Sequence, residues 1–148
     1  MSAKTMVTPA VQAAQRGKAI HKWVNDKTAS GSEQVLTDAT LYYNLSEGEV
    51  VMITGTLVDL HTLNDECTFE VVSCTAVAGG GTPTALWAEQ HLATAAAKAA
   101  HAPHSLCLNP PIRVRYEDGA RSITFRINAN DSSASVNCAW MGYTDLSL

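Results

Sequence analysis

Charge is scarce in this 148-residue chain: Asp, Glu, Lys and Arg together make up 16% of it, against roughly 25% in ordinary soluble domains. The ten Lys and Arg are scattered as singles and pairs, and the formal net charge is −4. That removes the electrostatic signature of a nucleic-acid binder. No run approaches the ~18 apolar residues of a membrane-crossing helix. The N-terminal MSAKTMVTPAVQAAQRGKAIHKW also lacks the continuous apolar stretch of a secretory signal. Neither nucleic acid nor membrane is therefore an expected partner, and folding in the cytosol is the default. Catalytic signatures are missing too. There is no GxSxG elbow, and AlaGlyGlyGlyThrPro at Ala78–Pro83 lacks the ending of a phosphate-binding loop. Neither Cys107 nor Cys138 stands in a nucleophile context. The expectation is a protein that is not an enzyme and takes no cofactor.

What is present is a neutral, Thr-, Ser-, Asn- and Ala-rich composition that suits a surface covered by other chains. The length suits one domain, which at this size buries roughly 70% of the surface its unfolded chain exposes. Branched and aromatic residues cluster from Leu36 to Val77 and from Leu106 to Trp140. The last third carries the clearest pattern. Ile112, Val114 and Tyr116 alternate with Arg113 and Arg115; Glu117, Asp118 and Gly119 supply a turn that suits a tight hairpin; Ile123, Phe125 and Ile127 continue the alternation. A final run, Ala134 to Tyr143, places Val136, Cys138, Trp140 and Gly142 on one face and Asn137, Ala139, Met141 and Tyr143 on the other. Both faces carry large apolar groups, so this strand is expected to be covered twice. From Gln34 onward, strand-like segments with turns near every ten residues fit a sandwich or barrel.

Two segments depart from that pattern. Thr82 to Ala100 opens with an N-cap residue and a proline and then fills with helix formers, predicting one inserted α-helix over about residues 83–100, ended before Pro103. Residues 1–16 are small and sparsely apolar and read as an N-terminal arm, preceding one β-sandwich domain over residues 17–148. Met6, Val7, Pro9 and Val11 of the arm, with Met141 and Tyr143 of the last strand, are the candidate partner interface.

Metal and redox readings are weaker. His101, His104 and Cys107 in HAPHSLC offer nitrogen and sulfur, but a structural zinc site wants four protein ligands and no second pair lies at finger spacing. Asp59, Asp65, Glu66 and Glu70 read as a solvated hairpin end rather than a cation site. No metal is expected. Cys67 and Cys74 bound one predicted strand seven steps apart, which prevents their bridging each other; buried thiols are favoured for the four cysteines. Trp23, Trp87 and Trp140 lie in three different elements and read as core rather than as a sugar platform.

The arm, the turn-rich sandwich segments such as NLSEGEVVMITGTLV, and the closing strand SVNCAWMGY together resemble the small capsid decoration (cement) proteins of tailed bacteriophages. The resemblance implies a mainly β, jelly-roll-like antiparallel β-sandwich, commonly trimeric. It implies a structural virion protein on the outside of a capsid, assembled in the host cytoplasm, bridging and stabilising major capsid protein subunits. A carbohydrate- or receptor-binding β-sandwich of a fibre or tail is the alternative, and a metal-dependent enzyme using His101, His104 and Cys107 the second.

Overall fold

The computed structural model describes residues 17–28, 30–60, 67–91, 104–129 and 135–146. Within them the chain forms nine strands: β1 (Ala19–Thr28), β2 (Glu33–Val35), β3 (Tyr43–Asn44), β4 (Val50–Leu60), β5 (Cys67–Cys74), β6 (Pro83–His91), β7 (His104–Arg115), β8 (Ser122–Ala129) and β9 (Ser135–Thr144). They build two antiparallel sheets, one in the order β1-β9-β4-β7 and one in the order β2-β8-β5-β6, with short β3 also pairing β8. Setting β3 aside, the pairs are nested: β1 with β9, β2 with β8, β4 with β7, and β5 with β6. Eight strands rolled up in this way are a jelly roll.

The core lies between the sheets and follows from the period-two alternation. Sheet one contributes Ile20, Val24, Val51, Ile53, Val58, Val114, Val136, Cys138 and Trp140; sheet two contributes Cys67, Phe69, Val71, Ile123, Phe125 and Ile127. Trp140 is fully buried and donates its indole N–H to the Leu41 carbonyl at 2.9 Å, with the Tyr43 ring edge-on at 6.5 Å between centroids. The loop between β2 and β3 is thereby tied to the middle of β9.

The closing strand β9 matches its sequence pattern residue for residue: Val136, Cys138 and Trp140 in the core, Met141 outward. Gly142 stands where β4 approaches most closely; a Cβ there would lie 2.1 Å from the Met52 carbonyl oxygen. Beside it β4 bulges at Thr54, whose hydroxyl donates to the Met141 carbonyl at 3.3 Å.

Two expectations are corrected. The predicted helix begins as a strand: Pro83–His91 pairs antiparallel with β5 from Cys74↔Pro83 to Cys67↔His91, and residues 92–100 lie outside the described residues. Its alanines and glutamate favour helix, but a sheet edge supplies hydrogen bonds and burial that outweigh a few tenths of a kcal/mol per residue. A bulge opposite Val71 and Val72 lets the adjacent Leu86 and Trp87 both pack on the core, which conceals the alternation. Second, Glu117-Asp118-Gly119 does not close a hairpin. Tyr116–Asp118 form a single 3₁₀ turn, Gly119 takes φ +100°, and the chain crosses from β7 in one sheet to β8 in the other. Strand β8 is buried on both faces at Ser122–Phe125. Its outward Thr124 and Ser122 hydroxyls donate to the carbonyls of Leu36 and Ala76, at 2.7 Å each, under covering loops.

Replacing Trp140 by Phe removes the indole donor, strands the buried Leu41 carbonyl and leaves a void; a loss of about 2–3 kcal/mol in urea denaturation is expected. Gly142→Ala should destabilise further, by forcing β4 away from β9.

Candidate functional site: the outer face of the first sheet

Register fixes what the first sheet shows to solvent. Across its four strands the outward side chains line up in rows. One row is Ala19, Tyr143, Met52 and Arg113; the next His21, Met141, Gly55 and Cys107; the third Trp23, Ala139, Leu57 and Ser105. Asn137 and Asp59 close the face at the far end. An ordinary antiparallel sheet alternates apolar inward and polar outward. Here the outward middle is apolar too.

Trp23 is 46% exposed and Met141 41%. These are two of the four large hydrophobic residues that stand exposed among the described residues. The His21 ring lies against Trp23 with centroids 5.2 Å apart, so the two present a continuous aromatic ridge along β1. Met141 lies over Gly55, whose missing side chain gives it room: a Cβ there would meet Met141 Cγ at 3.2 Å. Ala139, small and 8% exposed, forms the low point between Trp23 and Leu57. The result is a shallow apolar trough walled by the ridge. At its polar end Asn137 donates to Asp59 at 3.4 Å and accepts from the Asp26 backbone N–H at 2.8 Å.

The sheet edges are closed to further pairing by local devices. On β1 the Trp23 N–H donates to the Thr40 carbonyl at 3.0 Å, and β1 bulges between Val24 and Lys27. Strand β7 carries Pro110 and Pro111 in an irregular stretch, with the Asn109–Pro110 bond cis. Strand β6 begins with Pro83 and bulges at Leu86. Proline, bulges and covering loops are the usual guards against strand addition. Among the described residues, the broadest open surface is a face.

The other sequence-derived candidates scatter. Met6, Val7, Pro9 and Val11 lie outside the described residues, as do His101, Asp65 and Glu66. His104 and Cys107 sit three residues apart on β7 and point to opposite faces. His104 turns inward, where its Nδ1 meets the Glu89 carboxylate of β6 and joins the two sheets at one end. Glu70 faces away from the core and pairs with Arg126. Among the described residues no group of His, Cys, Asp and Glu is placed to hold a metal ion. Trp140 is core and Trp87 partly buried against it, whereas Trp23, read from sequence as core, is exposed. A cleft of about 240 Å³ opens between the sheets at the β6 and β7 edges, lined by Ser73, Thr84, Leu86, Val114, Arg115 and Ala120 among others.

No protein-family model matches the chain, and no curated protein is similar to it in sequence. Among solved structures it is similar to the xylan-binding CBM22-1 domain of Paenibacillus barcinonensis Xyn10C, at 15% identity and a TM-score of 0.42 over 85% of this chain and 72% of that one. It is also similar to an infectious bursal disease virus Gx strain protein, at 13% identity and a TM-score of 0.43 over 85% of this chain and 32% of that one. A third is the tobacco streak virus coat protein, at 12% identity and a TM-score of 0.34 over 86% and 88%. At these scores the likenesses carry no functional inference.

The thiols divide by exposure. Burial pushes Cys67 up from 9.0 to about 12, and raises Cys74 and Cys138 as well. Cys107 is exposed. With an aromatic disulfide reagent near pH 8, Cys107 alone of the four is expected to react in the native protein, the rest only on unfolding. Because the folded state holds these protons more tightly than the unfolded chain, their stabilising effect is complete below about pH 9 and declines as pH rises toward 12. Tyr43 acts in the same direction, raised by burial and then by its hydrogen bond to Glu49. Urea midpoints followed above pH 9 should fall steadily.

Proposed function

We propose that this protein is an adhesive structural module of a virion: a decoration protein that binds the outside of a capsid and bridges major capsid subunits as an oligomer, commonly a trimer. The observation that carries this reading is the apolar outer face of the first sheet, with Trp23 and Met141 exposed at its centre. Exposed apolar patches rimmed by polar residues mark interaction surfaces. A face poor in charge is cheap to desolvate, and many weak contacts repeated by symmetry add through avidity. Jelly rolls are a common shell-building architecture, although fold by itself does not assign function.

Tyr143 and Met141 belong to this interface, and Met6, Val7, Pro9 and Val11 of the arm extend it. An arm that orders on contact covers partner area at the cost of its own entropy. Virion location and the absence of catalysis belong to the same reading.

A second reading, a carbohydrate-binding module, draws on one observation: the Trp23 indole is exposed beside His21 and could take a sugar ring on its face. Glycan-array binding abolished by Trp23→Ala would favour it over the shell role.

The tests of the primary reading are direct. Met141→Ser should weaken the oligomer in light scattering while leaving the thermal midpoint within about 2–4 °C, since an exposed side chain contributes little to the core. Deleting residues 1–15 should reduce binding to expanded capsids; unchanged binding would remove the arm from the interface.

A further inference from the structure

The devices that guard the sheet edges are local, and on β7 they leave a gap. Pro110 and Pro111 spoil the middle of that strand, and the His104–Glu89 contact ties its start to β6. Past Pro111 the ladder is regular: Ile112, Arg113, Val114 and Arg115 stand opposite Ile53, Met52, Val51 and Val50 of β4 without a break. Just beyond, the Tyr116 N–H donates to the Glu49 carbonyl at 3.0 Å. In an antiparallel ladder that bond makes Val114 and Val51 the next hydrogen-bonded pair, so the N–H and C=O groups of Arg113 and Arg115 turn away from β4 toward the free edge. Among the described residues no hydrogen bond takes up either N–H.

The side chains at this gap alternate in chemistry as well as in direction. Val114 is buried and lines the cleft of about 240 Å³ between β7 and β6, beside Leu86 and Ala120. Arg113 and Arg115 stand on the opposite side of the strand. Arg113 is exposed, and among the described residues no carboxylate pairs with it. Arg115 has Glu117 at 3.1 Å, an exposed partner that contributes little and exchanges readily for another carboxylate. Asp118 also lines the cleft and disfavours a negative charge inside it.

We infer that the Ile112–Arg115 edge takes an extended segment of a partner protein, added antiparallel to β7, with acidic residues opposite Arg113 and Arg115 and one apolar residue between them. The two acidic residues exchange backbone hydrogen bonds with Arg113 and Arg115 and set their carboxylates beside the guanidinium groups. The residue opposite Val114 falls on the inward side and fills the cleft. Main-chain bonds hold such a strand, and the pocket for its alternate side chain selects it. A window of four residues, about 13 Å long, is too short to join two sheets but long enough for a peptide. It lies at the margin of the Trp23–Met141 face and does not depend on how that face is read.

The test uses the full chain and a fluorescein-labelled hexapeptide, acetyl-Thr-Glu-Leu-Glu-Thr-Lys-amide, followed by fluorescence anisotropy and by amide hydrogen exchange in ¹⁵N-labelled protein. Saturable binding is expected, with exchange slowed at the Arg113 and Arg115 amides and unchanged at Val114, whose N–H already belongs to the β4 ladder. N-methylation of either Glu amide should weaken binding about tenfold or more, whereas N-methylation of the Leu amide, which faces away from β7, leaves it nearly unchanged. Replacing the central Leu by Ser should also cost about tenfold. Arg113→Glu should weaken binding by roughly fivefold at an unchanged thermal midpoint. No saturable binding, no protection at Arg113 and Arg115, indifference to methylation of the Glu amides, equal binding of the Ser peptide, or undiminished binding by Arg113→Glu would each overturn the assignment.

Discussion

A strand has two sides, and the space between two sheets can bury only one of them. Strand β9 puts Trp140, Cys138 and Val136 into the core and, by the same alternation, Met141, Ala139 and Tyr143 outward. The inward side is held firmly: Trp140 is buried, bonded to Leu41 and packed against Tyr43. A one-residue slip would move every side chain to the opposite face, so the core fixes which residues the exterior must display. Because β9 lies between β1 and β4, its outward residues fall in the middle of the face, joined there by Trp23 and Leu57. The surface is thus set by the register of the core strand and is not a separate feature added to it.

The guarded edges sharpen that consequence. Sheet proteins that associate by strand addition leave a regular edge open; here prolines, bulges and the Thr40 carbonyl occupy three of them, and β2 is only three residues long. Association through side chains on a broad face is the route that such edges leave.

The alternating runs from Ile112 to Tyr143 were legible because every second residue is large and apolar, and the pattern survives in β7, β8 and β9. The chain order of those strands was not legible: Glu117-Asp118-Gly119 reads identically whether it closes a hairpin or carries the chain between sheets. Pro83–His91 was misread for a different reason. Its composition favours helix and its bulge places Leu86 and Trp87 side by side, so neither local propensity nor periodicity reveals a partner, β5, that the fold brings alongside. Trp23 was misjudged in the opposite direction. Its apolar neighbours Ile20 and Val24 are core, and only the register with Ala139 shows that the indole stands on the outer side. The outward placement of Met141 and Tyr143 was legible because period two needs no partner to be read.

The measurement that bears most directly on the account is oxidative footprinting of the protein in its dispersed and assembled forms, read at each side chain by mass spectrometry. Met141 and Trp23 are exposed in the single chain and oxidisable there. The account predicts that assembly protects both, together with His21, while exposed Val77 at the second sheet's loop keeps its reactivity. Undiminished oxidation of Met141 and Trp23 in the assembled form would contradict it.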